Sequence, residues 1–281
     1  MEGPHHIFDR PVYVARTLAA TGSAADLLDR HVASELSERL AVINRSFANA
    51  ALVTCRPAAS RDILLEGGKC LKISAFPPSP EDALNLLEAG FDAVFSLLDL
   101  HTVNDVPGHL ALAAHALRPD GLALFAFFAG DTLRELRESW LAAESEIIGG
   151  VSPRVAPMID LRETGGLLQR AGLALPVADM DSLTLRYDNA IALMQEVKSL
   201  GLSNAMTGRS RHFTSRRVLH RVAEIYQQRF ADPDGRIRAT VEIAWALAWK
   251  PHPSQQQPLK PGSAKARLAD ALRPPESSSS S

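Results

Sequence analysis

The sequence is poor in cysteine, in net charge and in long apolar runs, and each shortage excludes a class of protein. Its two cysteines, Cys55 and Cys70, form neither a disulfide framework nor a CxxC pair, so we expect a reducing compartment. A formal net charge of -2 argues against a dedicated nucleic-acid binder. No run approaches the ~20 apolar residues that cross a bilayer, and the N-terminus lacks the layout of a secretory signal. These absences predict a cytoplasmic protein with no transmembrane segment and no nucleic-acid partner.

The sequence also has few histidines and carboxylates at the spacings that are typical of metal sites. His109 and His115 are six positions apart and so do not share a helical face, and no histidine-carboxylate triad is spaced for iron. We therefore predict no metal site. Basic residues do cluster late in the chain, as Arg209, Arg211, Arg216, Arg217 and Arg221. We expect a solvated face there, although the same cluster could receive an acidic partner.

The chain has 281 residues, 46% of them hydrophobic, which is enough for one elaborated domain with a sizeable core. Apolar residues recur at every fourth position from Leu28 to Leu40, which predicts an amphipathic helix near the N-terminus. The predicted division is a helical segment over 1–45, a core domain over 46–250 with a helical insertion over 189–230, and a tail over 251–281. The tail is rich in Pro, Gln and Ser, a composition typical of disorder.

Apolar runs that predict strands occur over 50–54, 71–76, 91–98 and 122–128. Near-continuous apolarity at this length is typical of parallel strands that are buried on both faces, with helices packed on each side. Alternating apolar residues over 183–187 and 241–249 instead favour half-buried antiparallel strands. The pattern predicts an α/β fold in which a parallel sheet ends in antiparallel strands. Polar loops at the strand ends are the expected place for a site.

Two local signals mark element boundaries. Pro119, Asp120 and Gly121 predict a turn that ends a helix. Thr132 and Glu135 have the spacing of a capping box, so a helix is expected to begin at residue 131 or 132.

Several longer motifs resemble the signatures of one family. They are Phe8-Asp9-Arg10 and the stretches Leu100–Pro107, Gly130–Arg137, Gly149–Pro157 and Arg170–Leu173. On these motifs the chain resembles the methyltransferase-like complex I assembly factors, which include a protein-arginine hydroxylase. More distantly, it is similar to the malonyl-carrier-protein O-methyltransferases. The resemblance implies a Rossmann-like class I methyltransferase fold with helices on both faces of the sheet. It also implies a protein partner, a subunit of respiratory complex I.

The resemblance further implies S-adenosylmethionine as cofactor, but the half of the fold that would hold it is altered. A methyltransferase binds this ligand with a glycine-rich turn after strand one and a carboxylate at the end of the next strand. Here the turn reads Thr54-Cys55-Arg56-Pro57, without glycine, and the next strand offers Ser74 at best. The predicted cofactor contacts are Thr54, Cys55, Ser74, Leu97 and Asp99.

Missing polar contacts cost about 1 to 3 kcal/mol each, so these losses could turn a micromolar ligand into a millimolar one. We therefore expect cofactor binding to be weak or lost. In addition, only about forty residues separate the first strand from Phe91, where three strands with two crossovers normally need more room. A strand or helix of the usual seven-stranded core is expected to be shortened or lost.

Three residues are candidate catalytic groups because they follow the ends of two neighbouring strands. His101 and Asn104 come after the third apolar run, and Asp131 comes after the fourth, so all three are expected to face one cleft. His101 could act as a general base near neutral pH. The alternative is structural, with Asp131 capping one helix and Asn104-Asp105 starting another.

Candidate substrate contacts are Arg134, Arg186 and Tyr187. Arg186 and Tyr187 could border the substrate opening. Tyr187 has an alternative role in the core, because it continues the face that carries Leu183 and Leu185.

Three functions remain open from the sequence. The first is a complex I assembly factor whose methyltransferase fold serves as a protein-binding scaffold. The second is an active enzyme of the same family, which would hydroxylate an arginine of a complex I subunit or transfer a methyl group. The third is an unrelated small-molecule methyltransferase.

Overall fold

The computed structural model describes residues 6–86 and 90–256, and a six-stranded sheet forms the centre of that part of the chain. The strands are β1 Ala50–Val53, β2 Ile73–Phe76, β3 Phe91–Leu97, β4 Leu117–Phe128, β5 Ala174–Tyr187 and β6 Ile237–Trp249. They lie in the order β2-β1-β3-β4-β6-β5. β1 to β4 pair in parallel, whereas β6 pairs antiparallel with both β4 and β5. The predicted α/β sheet with antiparallel final pairings is confirmed, and β6 alone runs against the other strands.

The helices are α1 Arg10–Ala19, α2 Ser23–Ala41, α3 Pro57–Glu66, α4 Val106–Ala116, α5 Arg134–Ile148, α6 Leu161–Arg170, α7 Ala190–Ser199 and α8 Arg216–Phe230. A short 3₁₀ turn, Leu100–Thr102, follows β3. α7 and α8 lie between β5 and β6 in the chain, at the position predicted for a helical insertion. None of the described helices combines the length and the apolarity that a membrane crossing requires.

Helices cover both faces of the sheet, which explains why its central strands are mostly apolar. All seven residues of β3 are buried, and neighbours along it point to opposite faces. On one face Val94 belongs to a core that includes Leu110 of α4 and Leu168 of α6. On the other face Phe95 packs in a core with Leu36 of α2. A further core joins α5 to α7, α8 and the start of β6.

The chain runs from β2 to β3 without another strand or helix among the described residues of that segment. Among the described residues, the parallel half of the sheet therefore ends at β2, and the sheet has one strand fewer than the seven-stranded core. This agrees with the expectation drawn from the short distance between the first strand and Phe91.

Two predicted boundaries differ from the structure. Pro119, Asp120 and Gly121 lie inside β4, where the register with β3 shifts, and Asp120 takes a φ of 65°. The strand accommodates them as an irregularity rather than a turn. Thr132 and Glu135 do not form a capping box. Glu135 instead accepts hydrogen bonds from the backbone N–H (3.0 Å) and the hydroxyl of Thr240 on β6. Its carboxylate therefore forms a tertiary contact and not a helix cap.

The last described residues form a turn. Residues 252–256 belong to a second compact unit, and they form a turn in which the Gln255 N–H donates to the His252 carbonyl at 3.1 Å. The predicted disorder falls mainly on 257–281, which lie outside the described residues. The proposed domain boundaries stay a prediction.

Candidate functional site

A cavity of about 520 Å³ lies at the carboxyl ends of β3 and β4, where the polar loops were predicted. Its wall is mostly apolar and draws on several elements, including Leu28 of α2, Phe128 of β4, Leu185 of β5, Leu193 of α7 and Ile243 of β6. Small-ligand sites have volumes of about 300–1,000 Å³ and are mainly apolar with a few polar groups. The cavity therefore has the size, place and character of a binding site in an open α/β fold.

His101 is the one predicted catalytic residue that lines this cavity. Its ring is buried, lies edge-on to Phe128 with centroids 5.0 Å apart, and has Nε2 3.4 Å from the Tyr13 hydroxyl. Burial lowers the pKa of His101 to about 4, against the opposing charge of Asp99. The imidazole is therefore neutral at pH 7, and it is a weaker base than an exposed histidine.

Asn104 and Asp131 do not line the cavity. The Asn104 side chain accepts a hydrogen bond from the Phe8 N–H (2.8 Å) and donates to the Phe8 carbonyl (3.1 Å), which holds the N-terminal segment against the sheet. Asp131 is exposed and pairs with Arg134 at 3.3 Å. The structure thus gives both residues structural partners and does not bring them together with His101 around one cleft.

Of the predicted substrate residues, Tyr187 lines the cavity and the two arginines do not. Arg134 is exposed and pairs with neighbouring acids of its own helix start. Arg186 pairs with Asp232 at 3.0 Å and with Asp234, and it fastens β5 to the turn before β6. Both arginines face solvent. There each forms ion pairs with nearby carboxylates and does not line the cavity.

Beside the cavity, Arg10 of α1 binds one of the residues predicted to contact the cofactor, Asp99. Arg10 is 2% exposed, and its guanidinium donates to both Asp99 oxygens (2.7 and 3.2 Å) and to the Thr102 hydroxyl (2.7 Å). It also donates to the Ser79 carbonyl at 3.0 Å. Asp99 is fully buried, and its carboxylate is fully engaged by this arginine. A predicted cofactor contact is therefore satisfied by the protein's own helix.

The turn after β1 is covered in the same way. The Cys55 thiol donates to the Thr17 hydroxyl (3.1 Å), and Arg56 donates to the Thr17 carbonyl (2.9 Å) while it pairs with Asp29 of α2. Burial raises the pKa of the Cys55 thiol. α3 begins at Pro57, which has no N–H to offer a ligand. Residues of α1 and α2 thus contact the turn after β1, where a methyltransferase has a glycine-rich turn.

The remaining predicted cofactor residues are held within the sheet. Thr54 is buried, and its N–H donates to the Phe76 carbonyl at 3.1 Å. Leu97 is the buried last residue of β3. Ser74 lies two residues before the end of β2, and the end itself is Phe76, whose ring packs edge-on against Phe91.

These residues do not match the donor set that S-adenosylmethionine requires in this fold. The end of β2 carries an aromatic ring in place of a carboxylate, and the predicted contact Asp99 is bound by Arg10. The turn after β1 has no glycine, and its residues Cys55 and Arg56 donate hydrogen bonds to Thr17 of α1. We assign no chemical step to this cofactor.

Two charged residues of the cavity wall were not among the predicted site residues. Glu196 of α7 lies beside Tyr187. Arg154 belongs to the Gly149–Pro157 motif, and its guanidinium contacts the buried Glu144 (Nε to Oε1, 2.7 Å) and lies 4.5 Å from the Trp140 ring centroid. The motif was a usable signal for Arg154, whereas Glu196 looks like any polar residue of an amphipathic helix. Among the described residues, no group of three or more His, Cys, Asp or Glu is placed to hold a metal ion.

Similarity to known proteins spans most of the chain. Arginine-hydroxylase NDUFAF5, mitochondrial, from Danio rerio is 32% identical over 267 residues, which cover 94% of this chain and 78% of that protein. Its counterpart from Dictyostelium discoideum is 37% identical over 194 residues, which cover 68% and 44%. Malonyl-[acyl-carrier protein] O-methyltransferase from Laribacter hongkongensis is 33% identical over 208 residues, which cover 73% and 67%. The chain spans about half the length of several of the curated relatives that it matches.

Structural comparison agrees on the fold. A Bacillus halodurans protein of known structure, described as a methyltransferase, superposes with a TM-score of 0.50 at 13% identity, over 78% of this chain and 99% of its own. Identity this low speaks for the fold alone, which is the Rossmann-like methyltransferase fold predicted from the sequence. Comparison with protein-family profiles finds no match.

Proposed function

Because the chain belongs to the methyltransferase-like family of arginine-hydroxylase NDUFAF5, we propose that it binds a protein partner through the apolar cavity at the strand ends. The proposed partner is a subunit of respiratory complex I, and S-adenosylmethionine binds weakly or not at all. The relatives are described as mitochondrial, whereas a cytoplasmic location for this chain remains a prediction from its composition.

The observation that carries this proposal is the contact of Arg10 with Asp99. A buried guanidinium and carboxylate satisfy each other where a ligand would otherwise need polar partners. To admit S-adenosylmethionine, the protein would have to expose Asp99 again and leave one charge buried without its partner, which costs several kcal/mol. The neighbouring cavity has no such obstruction, so the fold keeps its substrate side available while α1 covers its cofactor side.

The cavity wall favours a partner with apolar side chains. Leucine is the most frequent residue in it, and valines add to the apolar surface; burial of such surface contributes roughly 25 cal/mol per Å² to association. A short protein segment with a few apolar residues could bury enough area there to bind. A nucleotide-sized polar ligand could not, because its hydrogen-bonding groups would meet few partners.

The alternative is an active enzyme, either an arginine hydroxylase or a methyltransferase. The names of the relatives favour it, and His101 and Tyr187 both line the same cavity. The two candidates share the partner and differ in whether the cofactor binds.

Isothermal titration calorimetry with S-adenosylmethionine separates the candidates. We expect no heat of binding at micromolar ligand. Low-micromolar binding would contradict the proposal that the contact of Arg10 with Asp99 opposes binding of the cofactor. Absence of binding at millimolar ligand would instead rule out an enzyme that depends on this cofactor.

Capture of the partner tests the cavity. The tagged full chain is expected to recover a peripheral-arm complex I subunit, identified by mass spectrometry. Leu185→Glu places a charge in the cavity wall and should reduce recovery about tenfold, because a buried charge without a partner opposes binding. Val177→Glu is the matched control, since Val177 is an exposed residue of the same strand outside the cavity.

Two results would contradict the proposal. One is failure to recover any complex I subunit, together with normal respiration after deletion of the gene. The other is equal loss of recovery in the Leu185 and Val177 variants, because this would place the partner on the edge strand rather than in the cavity.

A further inference from the structure

β5 is the last strand of the sheet, and its outer edge has no partner strand among the described residues. The strand is 14 residues long, whereas most strands have about 5–6 residues. Proteins usually protect such an edge with a proline, a lysine or a bulge. Here Pro176 and the bulge between Ala174 and Val177 are confined to the start of the strand. From Val177 to Tyr187 the register is regular and contains neither proline nor lysine, so the edge can accept another strand.

The same strand carries exposed apolar side chains. Among the described strands, only β5 has large hydrophobic residues that are exposed, and these are Leu175, Val177, Met180 and Leu185. An edge that presents unpaired backbone groups together with apolar side chains is a template for pairing with another chain. β5 therefore has the properties of an interface and not those of a protected edge.

We infer that β5 pairs antiparallel with β5 of a second copy of this chain, so that two six-stranded sheets join around a two-fold axis. Residues that lie directly opposite each other in such a pair point to the same face of the sheet. Side chains alternate between the faces along a strand, so a symmetric register must be centred on a residue and not between two residues. Only a few registers are therefore available to the strand.

Side-chain chemistry distinguishes these registers. One centred on Asp181 would oppose two identical carboxylates, and one centred on Met180 would oppose Asp179 with Asp181. Registers centred on Ser182 or Leu183 would oppose the Asp181 carboxylate with a leucine. Registers centred nearer the start of the strand also include its proline and its bulge.

The register centred on Thr184 avoids these conflicts and covers residues 181–187. On one face it places Leu183 opposite Leu185 of the second copy, twice by symmetry, and apolar cross-strand pairs of this kind stabilise a sheet. A register centred further along, on Leu185, covers only 183–187 of the strand. The symmetric pairing at Thr184 is therefore the longest one that joins apolar to apolar residues.

Charged side chains are also compatible with this register. Asp181 lies opposite Tyr187 of the second copy, and its carboxylate already binds the guanidinium of Arg39 at 2.8 Å. On the other face Arg186 lies opposite Ser182 of the second copy, so no like charges oppose each other.

The second copy would also extend the cavity wall. Leu183, Leu185 and Tyr187 point to the face that carries the cavity, and all three line it. Because the two-fold axis is perpendicular to the sheet, the second copy presents the same face on the same side. Its leucines therefore lie beside those of the first copy, and an apolar surface continues from one cavity towards the other.

Sedimentation velocity of the full-length chain over a series of concentrations tests the dimer. Wild type is expected to sediment as a dimer at about 100 µM, which requires a Kd below this value. Thr184→Lys places two ammonium groups opposite each other at the two-fold axis and should weaken dimerisation at least about tenfold. Val177→Lys is the matched control, because Val177 is exposed on the same strand but lies outside 181–187, and it should sediment like wild type.

A wild type that stays monomeric would overturn the inference, and so would a dimer that Thr184→Lys leaves intact. Equal dissociation of the Thr184 and Val177 variants would also overturn it, because the register would then not be the inferred one. Both positions are exposed, and circular dichroism shows whether the variants are folded.

Disulfide cross-linking tests the register without disrupting the interface. Oxidation of Thr184→Cys should give a covalent dimer on a non-reducing gel, because the two introduced thiols lie directly opposite each other. Ser182→Cys, on the same face of the strand, is the control. Its two thiols would lie about 14 Å apart along the strands, too far for a disulfide. Wild type, with its two native cysteines, shows the background. Cross-linking of the Ser182 variant in preference to the Thr184 variant would contradict the register.

These outcomes are separable from those of the proposed function, because Thr184 does not line the cavity. A monomeric wild type that captures a complex I subunit would contradict the inference alone. A dimeric wild type that captures no such subunit would contradict the proposed function alone.

Discussion

The guanidinium of Arg10 lies against the carboxylate of Asp99, with Nη1 2.7 Å from Oδ1 and Nη2 3.2 Å from Oδ2. The two residues are 89 positions apart, and both are buried. Their contact joins the first helix to the loop after β3.

Replacement of Arg10 tests the strength of this contact. Arg10→Ala should lower the free energy of unfolding by about 3–5 kcal/mol, because it leaves the buried Asp99 carboxylate without its counter-charge. Urea denaturation monitored by circular dichroism measures the change. The double variant Arg10→Met with Asp99→Leu should recover most of the loss, since both charges are then absent.

Arg30→Ala serves as the control for Arg10. Arg30 forms an exposed pair with Asp26 one helical turn away, so its loss should not measurably change stability. Equal stability of Arg10→Ala and wild type would mean that the Arg10–Asp99 contact does not hold α1 in place.

His101 should make stability depend on pH. Its pKa is about 4 in the folded protein, chiefly through burial, and 6.5 in an unperturbed chain. The unfolded state therefore binds more protons between these values, so the His101 contribution is complete above pH 6.5 and is lost as the pH falls to about 4. The expected loss is about 3 kcal/mol.

Urea denaturation at a series of pH values, for wild type and His101→Leu, measures this difference. Asp99, Arg10 and Tyr13 surround the ring in wild type and remain in the variant, so their contributions largely cancel. Parallel stability curves for the two proteins between pH 6.5 and 4 would contradict the assignment.

Glu144 is expected to stabilise the part of the cavity wall that contains Arg154. Its carboxylate is buried and accepts hydrogen bonds from Arg154, from the Ser152 hydroxyl (2.9 Å) and from the Ser152 N–H (2.7 Å). Glu144→Gln removes the charge that these donors share and should destabilise the protein by about 3 kcal/mol. Thermal denaturation checks the loss. Glu146→Gln, two positions along the same helix and exposed, should unfold like wild type.

The two cysteines should differ in their reactivity. Burial raises the pKa of Cys70 to about 11, and its side chain is 3% exposed, so its thiolate is scarce and shielded at pH 7. Cys55 is only partly buried. Ellman's reagent should therefore modify Cys55 slowly in the native protein and Cys70 only after unfolding, with Cys70→Ser to assign the first phase. Modification of Cys70 at the rate of Cys55 would contradict this.

Much of the fold followed from local pattern. The apolar runs that became β1 and β3 were correctly predicted as strands, because strands buried on both faces are mostly apolar whatever packs on them. The irregular start of β4 and the false capping box were missed because residues distant in sequence decided them. The Glu135 carboxylate binds Thr240, which is 105 positions away, and does not form the predicted capping box with Thr132.

The sequence by itself determined the α/β class, the positions of the first three strands, the family and the absence of a glycine turn after β1. These properties depend on residue type and spacing, which a sequence displays directly. Only the tertiary structure decided which polar residues meet: Arg10 with Asp99, Tyr187 with Glu196, and His101 with the cavity but without Asn104 or Asp131. Side-chain meetings across such distances depend on the packing of whole elements, and no local pattern encodes that packing.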